Sequence, residues 1–174
     1  MSGINIGAVP MNKENQEIER KFLIAYPSAQ LLSTCRDVSK ITQTYLSAPP
    51  GITARVRKRE WPEKCEYTHT EKRRMSDMRR LEFEQEISAE EYAEFLKSAD
   101  PGRNPVHKKR CCLLHDGQLF EIDLYPFWQD RAIMEIELED ESQSVRFPPC
   151  ISIIREVTGD KRYTNSAIAK HLPE

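Results

Sequence analysis

Charged side chains recur at every second position in several short segments of this chain, and most of these segments carry charges of one sign. In a β-strand, alternate residues point to the same side of the sheet, so each set would form part of one charged face. The acidic sets are Glu82, Glu84 and Glu86; Glu121 and Asp123; and Glu135, Glu137 and Glu139. The basic sets are Arg55, Arg57 and Arg59, and Lys108 and Arg110, while Glu17, Glu19 and Lys21 form a mixed set.

These side-chain types are suited to binding a metal ion and a phosphorylated anion. Carboxylate oxygens without histidine or cysteine favour a hard cation, so the acidic sets predict Mg²⁺ or Mn²⁺ as a cofactor. Arginines present planar guanidinium groups that bind phosphate oxygens through two N–H donors, and Lys21, Lys72 and Lys108 would add point charges. Such groups could neutralise and position a transferring phosphoryl group while a carboxylate or metal ion orients a water molecule.

A solvated antiparallel sheet would also alternate apolar and charged residues, with its apolar face packed on helices. However, a solvated face usually mixes the signs of its charges, whereas single strands here are purely acidic or purely basic. Like charges at neighbouring positions repel each other, so they require compensating partners. If the sheet closes, acidic and basic strands would face each other across a narrow interior, which a cation and a polyanion could neutralise. Glu86, Glu121 and Glu139 lie near strand ends, where we expect them to be solvated.

Length and composition predict one compact domain. The chain has 174 residues, of which 39% are hydrophobic and 31% are charged, and 26 basic residues nearly balance 28 acidic ones. This balance is not typical of a nucleic-acid-binding protein, and no segment has the length of a membrane span. The five cysteines show no metal-binding or paired spacing, which favours reduced thiols in the cytoplasm. We expect residues 1–13 to be a flexible N-terminal tail and residues 14–174 to form the domain.

The pattern of turns and alternation predicts an α+β fold in which about eight strands form a closed antiparallel β-barrel with helices packed outside. Ser88 and Glu91 form a capping box at the start of a helix, and Asp116-Gly117 is a hairpin turn between two strands. Residues 150–159 are predicted to form a short helix that ends at Gly159.

The segment from Glu17 to Lys21 resembles the E-x-E-x-K strand of the CYTH, or triphosphate tunnel metalloenzyme, superfamily. The resemblance continues in the same order through QTYL, Arg55-x-Arg57, Thr70-x-Lys72, EFEQEI, Lys108-x-Arg110, EIDLY, EIELE and EVTGDKRYTN. It covers residues 15–168. Each motif alone is short, but their ordered series is specific.

The resemblance implies a role for each group of charged residues. Glu17 and Glu19, with a glutamate of the Glu135 and Glu137 pair, would hold the metal ion. Arg55, Arg57, Lys72, Lys108 and Arg110 would bind the triphosphate, with Lys21 close to the same phosphates. Glu84, Asp123 and the remaining glutamate of the pair would position the water or a second metal ion. In the terminal motif, Tyr163 and Asn165 would either anchor the last segment or gate the ligand.

The chain is most similar in pattern to the bacterial inorganic triphosphatase branch of the superfamily. This implies metal-dependent hydrolysis of inorganic triphosphate or of a related triphosphate. The same parts would also serve a class IV adenylate cyclase, a nucleoside or thiamine triphosphatase, or a non-catalytic polyphosphate-binding module. We expect a triphosphate-containing small molecule as partner and neither nucleic acid nor membrane; a homodimer is compatible with the sequence.

Overall fold

A computed structural model describes residues 18–74 and 80–172, in which nine strands form one sheet. The predicted tail and Glu17 lie outside these residues. The strands are β1 (Ile18–Ala25), β2 (Asp37–Leu46), β3 (Ile52–Glu60), β4 (Cys65–Arg74), β5 (Arg80–Glu86), β6 (Val106–His115), β7 (Gln118–Leu124), β8 (Arg131–Leu138) and β9 (Ile153–Glu156). The helices are α1 (Ala29–Leu32), α2 (Ala89–Leu96) and α3 (Asn165–Ile168), and a 3₁₀ turn spans Lys161–Tyr163.

The strand order is β5-β4-β3-β2-β6-β7-β8-β1-β9, and neighbouring strands pair antiparallel. The predicted antiparallel α+β architecture is therefore confirmed, with nine strands where about eight were expected. Within the described ranges the ladder ends at β5 and β9 and does not close into the predicted barrel. At the β1 end of the ladder, β9 pairs with Phe22, Leu23 and Ile24, so the strand next to β1 is β9 and not β5.

The strand β9 replaces the helix that the sequence predicted over residues 150–159. Its partner is β1, with Phe22 opposite Glu156 and Ile24 opposite Ile153, and the register shifts between Leu23 and Ile24. All four β9 residues are exposed, so neither face of this strand is packed into the core. The free hydrogen-bonding edge of β1, rather than local helix propensity, decides this conformation.

Two apolar clusters cover the outer face of the sheet. The larger includes Phe22, Phe120, Ile122 and Met134 and packs against Leu31 of α1. The smaller includes Val56 and packs under α2. The predicted capping box at Ser88 and Glu91 starts α2, since each residue's side chain accepts from the other's backbone N–H. The predicted turn has positive φ at both Asp116 and Gly117, as a two-residue hairpin loop requires.

A third cluster closes one end of the opposite, inner face. It joins Leu23 of β1 and Tyr45 of β2, although three strands separate β1 from β2, so the sheet bends around this cluster. Tyr163 is 3% exposed within it, and the Tyr125 hydroxyl donates to Asn165 Oδ1 at 3.0 Å. Of the two roles predicted for Tyr163 and Asn165, these contacts favour anchoring of the last segment.

We expect Phe120→Ala to lower the free energy of unfolding by about 3–5 kcal/mol, because it leaves a cavity under a fully buried ring. Urea unfolding followed by circular dichroism would measure the change. The matched control is Leu119→Ala on the same strand, where the side chain is 51% exposed and points to the other face. Equal losses in both variants would contradict this assignment of the faces.

Candidate active site

The register places the predicted charged residues on one face of the sheet. Gln43 lies opposite Arg57, Arg55 opposite Thr70, and Thr70 opposite Glu84. On the other half of the sheet, Arg110 lies opposite Asp123, Lys21 opposite Glu135, and Glu19 opposite Glu137. This face, which we call the inner face, therefore carries every predicted site residue among those described: Glu19, Lys21, Arg55, Arg57, Lys72, Glu84, Lys108, Arg110, Asp123, Glu135 and Glu137.

Charge changes sign in bands across the inner face. The acidic strand β5 lies at one edge, and the basic strands β3 and β6 flank β2, which contributes Ser39, Ile41 and Gln43. Beyond β6, the strands β7 and β8 are acidic. Two cationic strands thus occupy the middle of the inner face, with carboxylates on either side.

A buried ion network joins β6, β7, β8 and β1. Arg110 Nε donates to Asp123 Oδ1 at 2.7 Å and Arg110 Nη2 to Asp123 Oδ2 at 2.8 Å, while Lys108 Nζ also binds Asp123 Oδ2. Arg110 Nη2 donates to Glu135 Oε2 at 2.9 Å, and Lys21 Nζ lies 2.8 Å from Glu135 Oε1. Asp123 therefore has both oxygens committed to cations, and Glu135 bridges Arg110 to Lys21.

The pKa values in this network follow from burial and close opposite charge. Burial alone would raise the pKa of Asp123, but Lys108 and Arg110 outweigh it and hold the value at about 2. Burial lowers the pKa of Lys108, and Arg110 adds to this effect, although the attraction of Asp123 opposes it. Burial also opposes the charge of Arg110, but Asp123, Glu121 and Glu135 raise its pKa. Glu121 was expected to be solvated; instead its carboxylate accepts from Arg110 Nη1.

A second group of side chains joins β3, β4 and β5. Glu84 Oε2 accepts from Arg57 Nη2 at 3.1 Å and from Thr70 Oγ1 at 2.8 Å, and Lys72 Nζ lies 2.7 Å from Glu82 Oε2. Arg55 Nη1 donates to Gln43 Oε1 at 3.2 Å. Burial, the charge of Arg55 and that of Arg110 lower the pKa of Arg57, although Glu84 opposes this shift.

Several donors on the basic part of the inner face are buried without a partner. Arg55 Nε, Arg57 Nε and Thr68 Oγ1 make no hydrogen bond to any described residue. A buried donor that lacks an acceptor is costly, and a cationic one more so. An anion with several oxygens would supply the missing acceptors.

On the acidic part of the inner face, Glu19 is partly buried near a second carboxylate, Glu135. Partial burial and the nearby charge of Glu135 raise the pKa of Glu19, and Lys21, whose Nζ is 3.4 Å away, only partly offsets them. Glu137 faces Glu19 directly in the β1–β8 ladder. Within 18–74 and 80–172, no three His, Cys, Asp or Glu side chains gather closely enough to hold a metal ion.

The uncharged members of the inner face belong to the motifs QTYL and Thr70-x-Lys72, but sequence reasoning assigned them no role. Gln43 and Tyr45 of β2 are 2% and 5% exposed, and Thr70 of β4 is fully buried, yet all three contact charged side chains or one another. They occupy the same alternate positions as the charged residues, but charge was the signal that selected candidates. Their strands, β2 and β4, both pair with the basic strand β3, so a prediction of strand pairing would have identified them.

The chain belongs to the CYTH domain family, whose profile matches residues 15–149. It is 34% identical over 160 residues to the inorganic triphosphatase of Nitrosomonas europaea, an alignment that covers 90% of this chain and 99% of that protein. A crystal structure of an inorganic triphosphatase superposes with a TM-score of 0.60 and 31% identity, covering 94% of this chain and all of the other. A putative adenylate cyclase from Bacillus halodurans shares the fold, with a TM-score of 0.51 and 17% identity over 72% of this chain and 81% of that one. No helix in the part of the chain that the structure describes is long and apolar enough to cross a membrane.

We expect Asp123→Asn to lower the free energy of unfolding by about 3–5 kcal/mol at neutral pH, because it leaves Lys108 and Arg110 buried without their shared counterion. The pKa of Asp123 is lower in the folded chain, about 2 against an ordinary 3.8, so its stabilisation is present above pH 3.8. The stability difference between wild type and variant should therefore shrink as pH falls from 3.8 towards 2. Urea unfolding at a series of pH values would measure it.

Asp130→Asn is the matched control, because Asp130 also pairs with an arginine but lies on the surface. It should leave the free energy of unfolding nearly unchanged at neutral pH. A loss for Asp123→Asn no larger than that of the control would contradict the network.

Proposed function

We propose that this protein is a metal-dependent hydrolase of inorganic triphosphate. The observation that carries the proposal is the set of buried, unpartnered donors on Arg55, Arg57 and Thr68, which lie on the same face of the sheet as two acidic bands. The similarity to inorganic triphosphatases along almost the whole chain supports the same substrate.

The triphosphate lies along the cationic middle of the inner face. Arg55, Arg57 and Lys72 bind it from β3 and β4, while Lys108, Arg110 and Lys21 approach from β6 and β1. Guanidinium groups suit this task because they donate two hydrogen bonds to one phosphate in a fixed plane. All of these cations except Lys72 are largely buried, and their partial desolvation makes an interaction with the anion stronger than it would be in water.

The expected cofactor is Mg²⁺ or Mn²⁺, which Glu19 and Glu137 would hold; the resemblance to the family implies Glu17 and Glu135 as further ligands. The residues fit a hard cation: their donors are carboxylate oxygens, and Glu19 and Glu137 lie opposite each other in the β1–β8 ladder. Mg²⁺ commonly takes only one or two protein carboxylates and completes its shell with water and phosphate oxygens. When bound, the ion supplies charge neutralisation at the phosphates and a lower pKa for a coordinated water.

The remaining carboxylates divide into water-positioning and cation-positioning groups. Glu84 is 43% exposed and is oriented by Thr70 and Arg57, so it can accept a proton or hydrogen bond from the attacking water. Asp123 is fully buried with both oxygens occupied, so we assign it to holding Lys108 and Arg110 in place. Glu137 lies opposite Glu19, and we assign it both to metal binding and to positioning the water.

A substrate panel tests the proposal. Purified protein with Mg²⁺ or Mn²⁺ should release phosphate from inorganic triphosphate with a kcat/KM at least about tenfold higher than from ATP or thiamine triphosphate. The reason is that ATP and thiamine triphosphate carry a bulky organic group that the site must accommodate, whereas inorganic triphosphate carries none. Phosphate release and cyclic AMP would be measured in parallel. Cyclic AMP as the main product from ATP would establish a cyclase, and tight binding without turnover would establish a binding module; either result overturns the proposal.

We expect Glu19→Gln to raise the metal concentration needed for half-maximal activity by about 10- to 100-fold, because one charged ligand is lost. Activity against inorganic triphosphate over a metal titration would measure the change. Glu94→Gln on the surface of α2 removes a carboxylate that only pairs with Lys97, so its metal dependence should match wild type. Identical metal dependence in wild type and Glu19→Gln would refute the assigned ligand.

A further inference from the structure

The side chain of Gln43 is a buried amide between the two basic strands of the inner face. β2 separates β3 from β6, and the Gln43 backbone pairs with Arg57 on one side and Val106 on the other. The residue is 2% exposed. A buried glutamine is retained only when its donors and acceptor are satisfied, so its partners indicate what it does.

Both ends of the Gln43 amide are engaged. Its Oε1 accepts from Arg55 Nη1 at 3.2 Å, and its Nε2 donates to the Tyr45 hydroxyl at 3.0 Å. Tyr45 is itself fixed, since it is buried and the guanidinium of Arg103 lies over its ring at 4.8 Å. The donor contact to Tyr45 sets the orientation of the amide, so that the oxygen and not the nitrogen faces Arg55.

Two carboxylates on β5 compete for the same guanidinium. Arg55 Nη2 lies 3.7 Å from Glu82 and 3.9 Å from Glu84, beyond hydrogen-bond distance for both. The closest cations to these glutamates are Lys72 for Glu82 and Arg57 for Glu84. A small movement of the Arg55 guanidinium would bring it within hydrogen-bond distance of Glu82 or Glu84. These carboxylates would then neutralise its charge within the protein.

We propose that Gln43 is a positioning residue that holds Arg55 away from the acidic strand β5, so that the unpartnered Arg55 Nε faces the substrate. Tyr45 fixes the amide for this purpose. The role of Gln43 towards substrate rests on the proposed triphosphatase function, while its hold on Arg55 does not. A neutral acceptor suits the task, because it orients the guanidinium without cancelling its charge.

Gln43→Met keeps the length of the side chain and removes both contacts. We expect KM for inorganic triphosphate to rise about tenfold and kcat to change less than about threefold, because a hydrogen bond to a charged group that binds substrate is lost. The matched control is Gln118→Met, a buried glutamine on the outer face that binds Ser144 and Arg146. It should leave KM unchanged, and an equal rise in both variants would overturn the proposal.

A double-mutant cycle separates positioning from general destabilisation. If Arg55 collapses onto β5 in Gln43→Met, then adding Glu82→Gln removes a competitor and should lower KM again by about threefold or more. The same Glu82→Gln change in the wild-type background measures the effect of Glu82 on KM when Gln43 is in place, including its pairing with Lys72. Strictly additive effects on KM would mean that Gln43 does not restrain Arg55.

The ¹⁵N signal of Arg55 Nε–H in the protein without substrate gives a readout that does not depend on activity. In wild type this group should be rigid on the picosecond to nanosecond scale, and its heteronuclear NOE should fall in Gln43→Met and also in Tyr45→Phe. An unchanged NOE in both variants overturns the inference. Absence of triphosphate hydrolysis by wild type would instead refute the proposed function, and the NOE would still report on the restraint.

Discussion

The carboxylate of Asp123, held between Lys108 and Arg110, is the interaction on which the inner face depends. Placing two cations side by side in a buried site is unfavourable, and removal of their shared anion would leave both unpaired. Its pKa of about 2 shows that the cations stabilise the charged form by more than burial opposes it. The same contacts hold the Lys108 ammonium and the Arg110 guanidinium in position. Asp123 therefore contributes both to stability and to the geometry of the site.

The apolar core lies behind this charged face and at one end of it. Apolar clusters under α1 and α2 cover the outer side of the sheet, and the cluster around Tyr125 and Tyr163 closes one end of the inner side. Burial of some of the inner-face groups, such as Arg55 Nε, Arg57 Nε and Asp123, has two consequences with opposite signs. It makes each unpaired polar group costly, and it strengthens the attraction between those groups and an anion that enters.

The charges on the inner face are only partly neutralised by one another. Asp123 and Glu135 satisfy most of the cations on β6 and β1, whereas Arg55 and Arg57 on β3 keep buried donors without acceptors. Arg55 makes its hydrogen bond to neutral Gln43, whereas Arg110 makes several to carboxylates. The face thus combines a fixed half, in which ions pair within the protein, with a half whose donors remain available for a ligand.

The amino-acid sequence by itself determined which side chains share a face. Alternation with period two placed the arginines of β3 and the glutamates of β5 and β8 correctly, and the capping box and the Asp116-Gly117 turn fixed the start of α2 and the β6–β7 hairpin. These are local signals, because backbone geometry within a few residues decides them. The ordered motifs likewise identified the family.

Only the tertiary structure decided which of these side chains pair with one another. The pairing of β2 with β6 brings Gln43 between two basic strands, and the β6–β7–β8 order commits Asp123 and Glu135 to cations while Glu19 faces Glu137. Residues 153–156 form β9 rather than a helix because the edge of β1 offers hydrogen-bond partners, and this addition leaves the sheet open within the described ranges. Strand order and edge pairing join residues far apart in the chain, so no local pattern of residue types can specify them.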